Sequence, residues 1–194
     1  MTITSLYIKE PGLNSLPPGV ERYVVEGGGL TGIQILPDDE IEIINNEGNQ
    51  ICEISVFNKD GKSELAILGL KEIKDNSEIK KILFKKDETS LQALLQLKKR
   101  NLNIEKSKSS LVFSKETKAG ESIKLKSKDK CYCIIAAPGK EMMVHEQNPS
   151  TELIVMVKRS EVKKDKEFSI IPDPVYDPSN EINIARTTAN SYQV

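Results

Sequence analysis

The stretch "VVEGGGLTGIQILPDDEIEII", Val24 to Ile44, contains Gly27-Gly28-Gly29-Leu30-Thr31-Gly32, a literal G-x-G-x-x-G. In a dinucleotide-binding fold such glycines follow a strand and open a helix, because the helix N-terminus holds the phosphates. Here Gly32 leads into Ile33-Gln34-Ile35-Leu36, then Pro37-Asp38-Asp39, then Glu40 to Ile44. That run is β-branched, broken by proline and without a 3.6-residue period. No βαβ unit is available to receive the loop. The glycines are read instead as permitting positive φ in a bulge or a wide hairpin loop, with strands on both sides.

The β pattern extends outward from this stretch. "ERYVVEG", "GIQIL", "EIEII" and "QICEISVF" are four short strands, separated by Pro37-Asp38-Asp39 and by Asn45 to Asn49. Ile41, Ile43 and Asn45 alternate with Glu40, Glu42 and Ile44, a period of two. "ELAILGL" is expected as a fifth strand. Two helices follow, near 77–84 and 89–101. Asn76 or Ser77 is the candidate cap of the first, whose Ile79, Ile82 and Leu83 share one face. Thr89 with Gln92 suggests a capping box for the second, and Leu91, Leu94, Leu95 and Leu102 are its expected buried stripe.

Strands resume in "SSLVFSK", "ESIKLKS", "CYCIIAAP" and "ELIVMVKR", where Lys124 and Lys126 alternate with Ile123 and Leu125. Turn signals recur every eight to twelve residues. The expected class is mainly β: an antiparallel β-sandwich or distorted barrel with two inserted helices. Residues 1–19, with Pro11, Gly12, Pro17, Pro18 and Gly19, read as an irregular lead-in, 20–160 as the β-rich domain, and 161–194 as an extended linker or tail.

Composition narrows the function classes. The longest apolar runs are five to eight residues, too short for a bilayer. "MTITSLYIKEPG" lacks the layout of a secretory signal, and an odd count of three cysteines suits reduced thiols, so the cytoplasm is the expected location. The net charge of −1 conceals an asymmetry: residues 1–60 carry three basic against ten acidic side chains, and 98–130 carry eleven against four. Such opposed fields could steer an anion or a partner, although the plain reading is a solvated lysine-rich face. Phe113 is the single aromatic among the lysines of 98–130, too few to form a stacking platform, which argues against nucleic acid.

Groups able to do chemistry are few. His145 is the one histidine, too little for a multi-histidine zinc site. Cys131 and Cys133 fall on the same face of a strand and read as paired core thiols, with a two-thiolate metal site or a His145-assisted nucleophile as alternatives. Glu53, beside Cys52, is either a base at a barrel mouth or a charge on the solvent face, and periodicity favours the second. Gln50, Glu53, His145 and Asn148 are the candidate binding residues, at the rim of a pocket; no catalytic or metal-ligating residue is assigned.

"DDEIEIINNEGNQICEISVFN" resembles the opening motif of the urea-carboxylase-associated family, through Ile41, Ile43, Ile44, Glu47, Gly48, Gln50 and Phe57. The stretch from Lys118 to Arg159, with Gln147-Asn148-Pro149-Ser150-Thr151 before the last strand, is similar to that family's closing half. The resemblance covers roughly Val20 to Arg159, with a gap in the helical middle. It implies kinship with small amidohydrolases such as carboxyguanidine deiminase, which use a cysteine- and histidine-containing centre. This sequence departs there: Ser63 to Ser110 has neither residue, and Asn45 and Glu53 stand where the family usually shows Asp.

"AAPG" followed by "QNP" also resembles the N-terminal part of long fused proteins, in which such a domain precedes a folate-dependent aminomethyltransferase similar to the glycine-cleavage T-protein. The final "NIARTTANSYQV" parallels "GVERYVV" and resembles the start of another such strand. The chain is then one module of a longer polypeptide; the alternative is a complete protein with a frayed tail. The expected function is a non-catalytic or degenerate β module acting with that aminomethyltransferase in one-carbon metabolism. It has no cofactor of its own, with tetrahydrofolate in the associated domain and that domain or a second copy as partner. A hydrolase for a urea- or guanidine-like compound is the alternative, and a nucleic-acid binder ranks last.

Overall fold

The computed structural model describes residues 16–72, 78–85, 87–139 and 149–160. The compact unit they build is Gly19–Val162; a second unit, Met1–Pro18 with Lys163–Val194, lies outside the described residues except for Leu16, Pro17 and Pro18. Eight strands and two helices follow in order: β1 (Val20–Val25), β2 (Leu30–Ile35), β3 (Glu40–Asn45), β4 (Cys52–Asn58), α1 (Glu78–Leu83), α2 (Glu88–Lys99), β5 (Ser110–Phe113), β6 (Glu121–Lys126), β7 (Cys131–Ala136) and β8 (Leu153–Lys158).

The strands form two antiparallel sheets, ordered β1-β8-β3-β6 and β2-β7-β4-β5. The chain crosses between the sheets at almost every connection, which gives the jelly-roll form of a β-sandwich. Alternation drives the packing. Ile41 and Ile43, Ile33 and Ile35, Ile54 and Val56, Cys131 and Cys133, and Val155 and Val157 all point between the sheets and are buried. Complete burial of one such isoleucine or valine stabilises the fold by about 1.5–3 kcal/mol. Every inward position of β7 and β8 is apolar, so the interior is filled with side chains.

The helices cover the opposite face of the second sheet. Phe57, Ile134 and Ala136 pack there against Ile79 and Leu83 of α1 and Leu97 of α2. The leucine stripe differs from the sequence expectation. Leu91 and Leu95 are exposed, Leu94 is half-buried, and Leu97 and Leu102 are buried. The helix is rolled so that Ser90, Ala93, Leu94 and Leu97 face the sheet, which selects that side by packing. The cap is Asp87 and not Thr89: its side chain accepts from the Ser90 N–H at 2.7 Å. The proposed caps of α1, Asn76 and Ser77, lie outside the described residues.

"ELAILGL" is not a strand. Leu65–Leu68 form a 3-10 turn that buries Leu65, Ile67 and Leu68 and ends at Gly69 in the left-handed region. Three buried apolar residues within four suit a turn packed into the core beside β4 better than an alternating strand.

The glycine loop is a corner between sheets, not a hairpin, because β1 and β2 belong to different sheets. Gly29 N–H bonds to Glu26 O at 2.8 Å, Gly28 has a φ of +82°, and its N–H reaches Ala137 O at 2.7 Å. A Cβ on Gly27 would sit 2.3 Å from the Ser150 carbonyl oxygen, so close backbone approach requires this glycine. Strand β2 follows, and the motif opens no helix.

Candidate functional site

Two of the four candidate rim residues fall within the described residues. Gln50 and Glu53 are described; His145 and Asn148 lie outside the described residues. Gln50 is fully buried, between β3 and β4. Its Nε2 donates to Ile51 O and Pro138 O at 3.0 Å each, and its Oε1 accepts from Thr151 N–H at 2.9 Å. Asn45, also fully buried, donates from Nδ2 to the Gln50 carbonyl at 2.8 Å. One carboxamide thus fastens the β3–β4 turn to the end of β7 and the start of β8. Asn45 Oδ1 and Thr151 Oγ1 are buried without a hydrogen-bond partner among the described residues.

Glu53 is not on the solvent face. It is 4% exposed and lies beneath α1, where one carboxylate oxygen, Oε2, accepts the N–H groups of Glu78 and Ile79. The β-bulge between Cys52 and Glu53 marks the place where β4 changes its partner on β5. The period-two reading of Glu53 as a charge on the solvent face is thus overturned: the residue points away from the sandwich interior, but α1 covers that side.

Three thiols lie in the dry interior. Cys131 and Cys133 sulfurs are 3.8 Å apart, and Ser127 Oγ is 3.6 Å from Cys131. Burial, with a smaller contribution from the Glu53 charge, pushes the Cys52 thiol far up. The Cys131 sulfur and burial push the Cys133 thiol well up, while hydrogen bonds from Cys133 and Ser127 hold Cys131 below the usual thiol value. Among the described residues no three His, Cys, Asp or Glu side chains converge as a metal site would require.

A further cluster was not legible in the sequence. Arg159, just past β8, donates from Nε and Nη2 to Glu21, and from Nη1 to Asp39 at 2.7 Å and to Gln34 O at 3.0 Å. Asp39 also accepts the N–H groups of Leu36 and Ser160, each at 2.9 Å. Burial raises the Asp39 carboxyl, but those amides and Arg159 hold it below the usual range; the same contest with Arg159 and Tyr23 lowers Glu21. Tyr23 is pushed up to about 12 by burial and by the Glu21 carboxylate. The cluster ties the exit of β8 to β1 and the β2–β3 turn, a tethering role.

Among the described residues no helix is long and apolar enough to cross a membrane. No family model matches the chain. Over 188 residues the chain is 34% identical to the trimethylamine-oxide aldolase of Ruegeria pomeroyi, a match covering 96% of this chain and 24% of that protein. The chain therefore spans about a quarter of the length of this curated relative.

Proposed function

We propose that the chain is a non-catalytic β-sandwich module of the urea-carboxylase-associated type, belonging to a larger enzyme of methylated-amine and one-carbon chemistry. In that reading a folate-dependent aminomethyltransferase portion carries the reaction, and any tetrahydrofolate is held there. The observation that supports it best is the unequal coverage of the match, nearly all of this chain against a quarter of a trimethylamine-oxide aldolase. The apolar filling of the sandwich interior is consistent with a packing role. The buried Gln50 and Asn45 then serve to join loops, and Glu53 to hold α1.

The test is a pair of assays. The purified 194-residue chain is expected to leave trimethylamine oxide unconsumed. A chimera of the Ruegeria pomeroyi enzyme carrying this chain in place of its matching segment is expected to consume it. Turnover by the isolated chain would overturn the reading, as would a folded chimera without activity. The amidohydrolase alternative is scored in the same preparation, by release of ammonia from urea and carboxyguanidine.

A further inference from the structure

Helix α2 turns an apolar stripe away from the sheet that it covers. Ser90 and Leu97 are buried and Ala93 and Leu94 half-buried on its inner side. Leu91 and Leu95 are 51% and 59% exposed, the two most exposed large apolar side chains among the described residues. One helical residue advances about 100°, so Glu88, Leu91, Leu95 and Lys98 fall within an arc of about 80° on the outer side. All four are exposed. The proposed function gives this stripe no role.

The charges at the two ends of the stripe are unpaired. Among the described residues no ion pair includes Glu88, Lys98 or Lys99. Glu88 and Lys98 stand about 15 Å apart along the helix axis, too far to meet within one copy. Asp87 uses one carboxylate oxygen for the Ser90 N–H and stays exposed, and Arg100 is turned back onto the Gln96 carbonyl at 3.2 Å.

We propose that α2 is a self-association element: two copies of the chain pack their α2 helices antiparallel along this stripe, about a two-fold axis at the height of Ala93. The order of residues supplies the reason. Leu91 and Leu95 lie two positions either side of Ala93, Glu88 and Lys98 five, and Asp87 and Lys99 six. A two-fold axis there sets each Leu91 against the second copy's Leu95. It also sets each Glu88 against the second copy's Lys98, and each Asp87 near its Lys99. That is the self-complementary patch a two-fold contact requires, and it is confined to one helix, so no other element needs a facing partner. Packed helices lie about 8–10 Å apart, a distance the opposed leucines fill, and antiparallel dipoles attract. A second copy is favoured over an unrelated partner because the two acids and two bases are mirrored about one point and cancel. A partner of either single charge would be repelled at one end of the stripe.

Sedimentation velocity on the full chain, in reductant and over a range of concentrations, tests this. The contact is small, so wild type is expected to dimerise reversibly with a dissociation constant on the order of 10–100 μM. Leu91→Gln with Leu95→Gln alters only exposed side chains; it should leave the thermal transition unchanged and weaken the dimer about tenfold or more. Glu88→Lys and Lys98→Glu, each checked for an unchanged melt, should each weaken self-association several-fold, roughly, and an equimolar mixture of the two should restore it. A wild type still monomeric at roughly 1 mM would leave the stripe to a different protein and overturn the proposal. So would a double leucine variant that dimerises like wild type, or a mixture that associates no better than its components.

Discussion

The side-chain carbonyl of Gln50 accepts a 2.9 Å hydrogen bond from the backbone N–H of Thr151, 101 residues further along the chain. With its amide donating to Ile51 and Pro138, this one side chain closes the end of the sandwich where β3, β4, β7 and β8 leave their sheets. Gln50→Ala is expected to lower stability by roughly 2–4 kcal/mol, since buried carbonyl and amide groups lose their partners. Gln50→Glu should also destabilise, because the carboxylate cannot donate to Ile51 and Pro138. Urea titration of both variants checks this; an unchanged midpoint for Gln50→Ala would refute it.

Glu53 should behave as a helix anchor. Glu53→Ala removes the acceptor of the Glu78 and Ile79 amides and is expected to cost about 1–3 kcal/mol, with faster amide exchange confined to α1. Glu53→Gln keeps an oxygen at the site and should cost less. Equal losses for both would mean that the charge, not the acceptor, is what matters.

The Arg159 cluster gives a pH dependence of defined sign. Asp39 and Glu21 titrate below their ordinary values of 3.8 and 4.5 in the folded chain. Their contribution is complete above those values and is lost as pH falls through the lowered folded ones. Asp39→Asn should therefore lower stability by roughly 2–3 kcal/mol at neutral pH and by progressively less under acid conditions. Denaturation midpoints measured from pH 7 down to about pH 3 decide it; a constant difference across that range would contradict the assignment.

Two glycines of the same motif should respond differently. Gly27→Ala drives a Cβ into the Ser150 backbone and is expected to cost 2 kcal/mol or more, roughly, whereas Gly32→Ala meets nothing within 4 Å and should be near neutral. Thermal melts of the two variants distinguish a packed corner from a phosphate loop, for which both glycines would affect a nucleotide titration.

Cys52, Cys131 and Cys133 should resist a thiol reagent in the native chain and react together only as the sandwich unfolds. Rapid labelling of any one under native conditions would show that the interior opens locally.

The positions of the eight strands were legible in the chain because each has apolar residues two apart and turn residues at its ends. The 3-10 turn at Leu65–Leu68 was not, since a short apolar run carries no period that separates it from a strand. The roll of α2 was missed for a related reason: with leucines at 91, 94, 95 and 97, several faces look apolar, and only the sheet beneath selects one. Gln50 was identified as important from its place in a motif, but as a rim residue, not as a buried joint.

By itself the sequence determined the class of fold and the absence of a helix after its glycine motif, because periodicity and glycine–proline punctuation are local. Its opposed charge regions, an acidic first third and a basic stretch over 98–130, left open whether the two lie on one face. Tertiary structure decided this for the sheet residues. Pairing β3 with β6 sets Glu40 beside Lys126 and Glu42 beside Lys124, so charges more than eighty positions apart share one face. Register across a sheet is set by non-local hydrogen bonding and burial, and no property of either segment alone contains it.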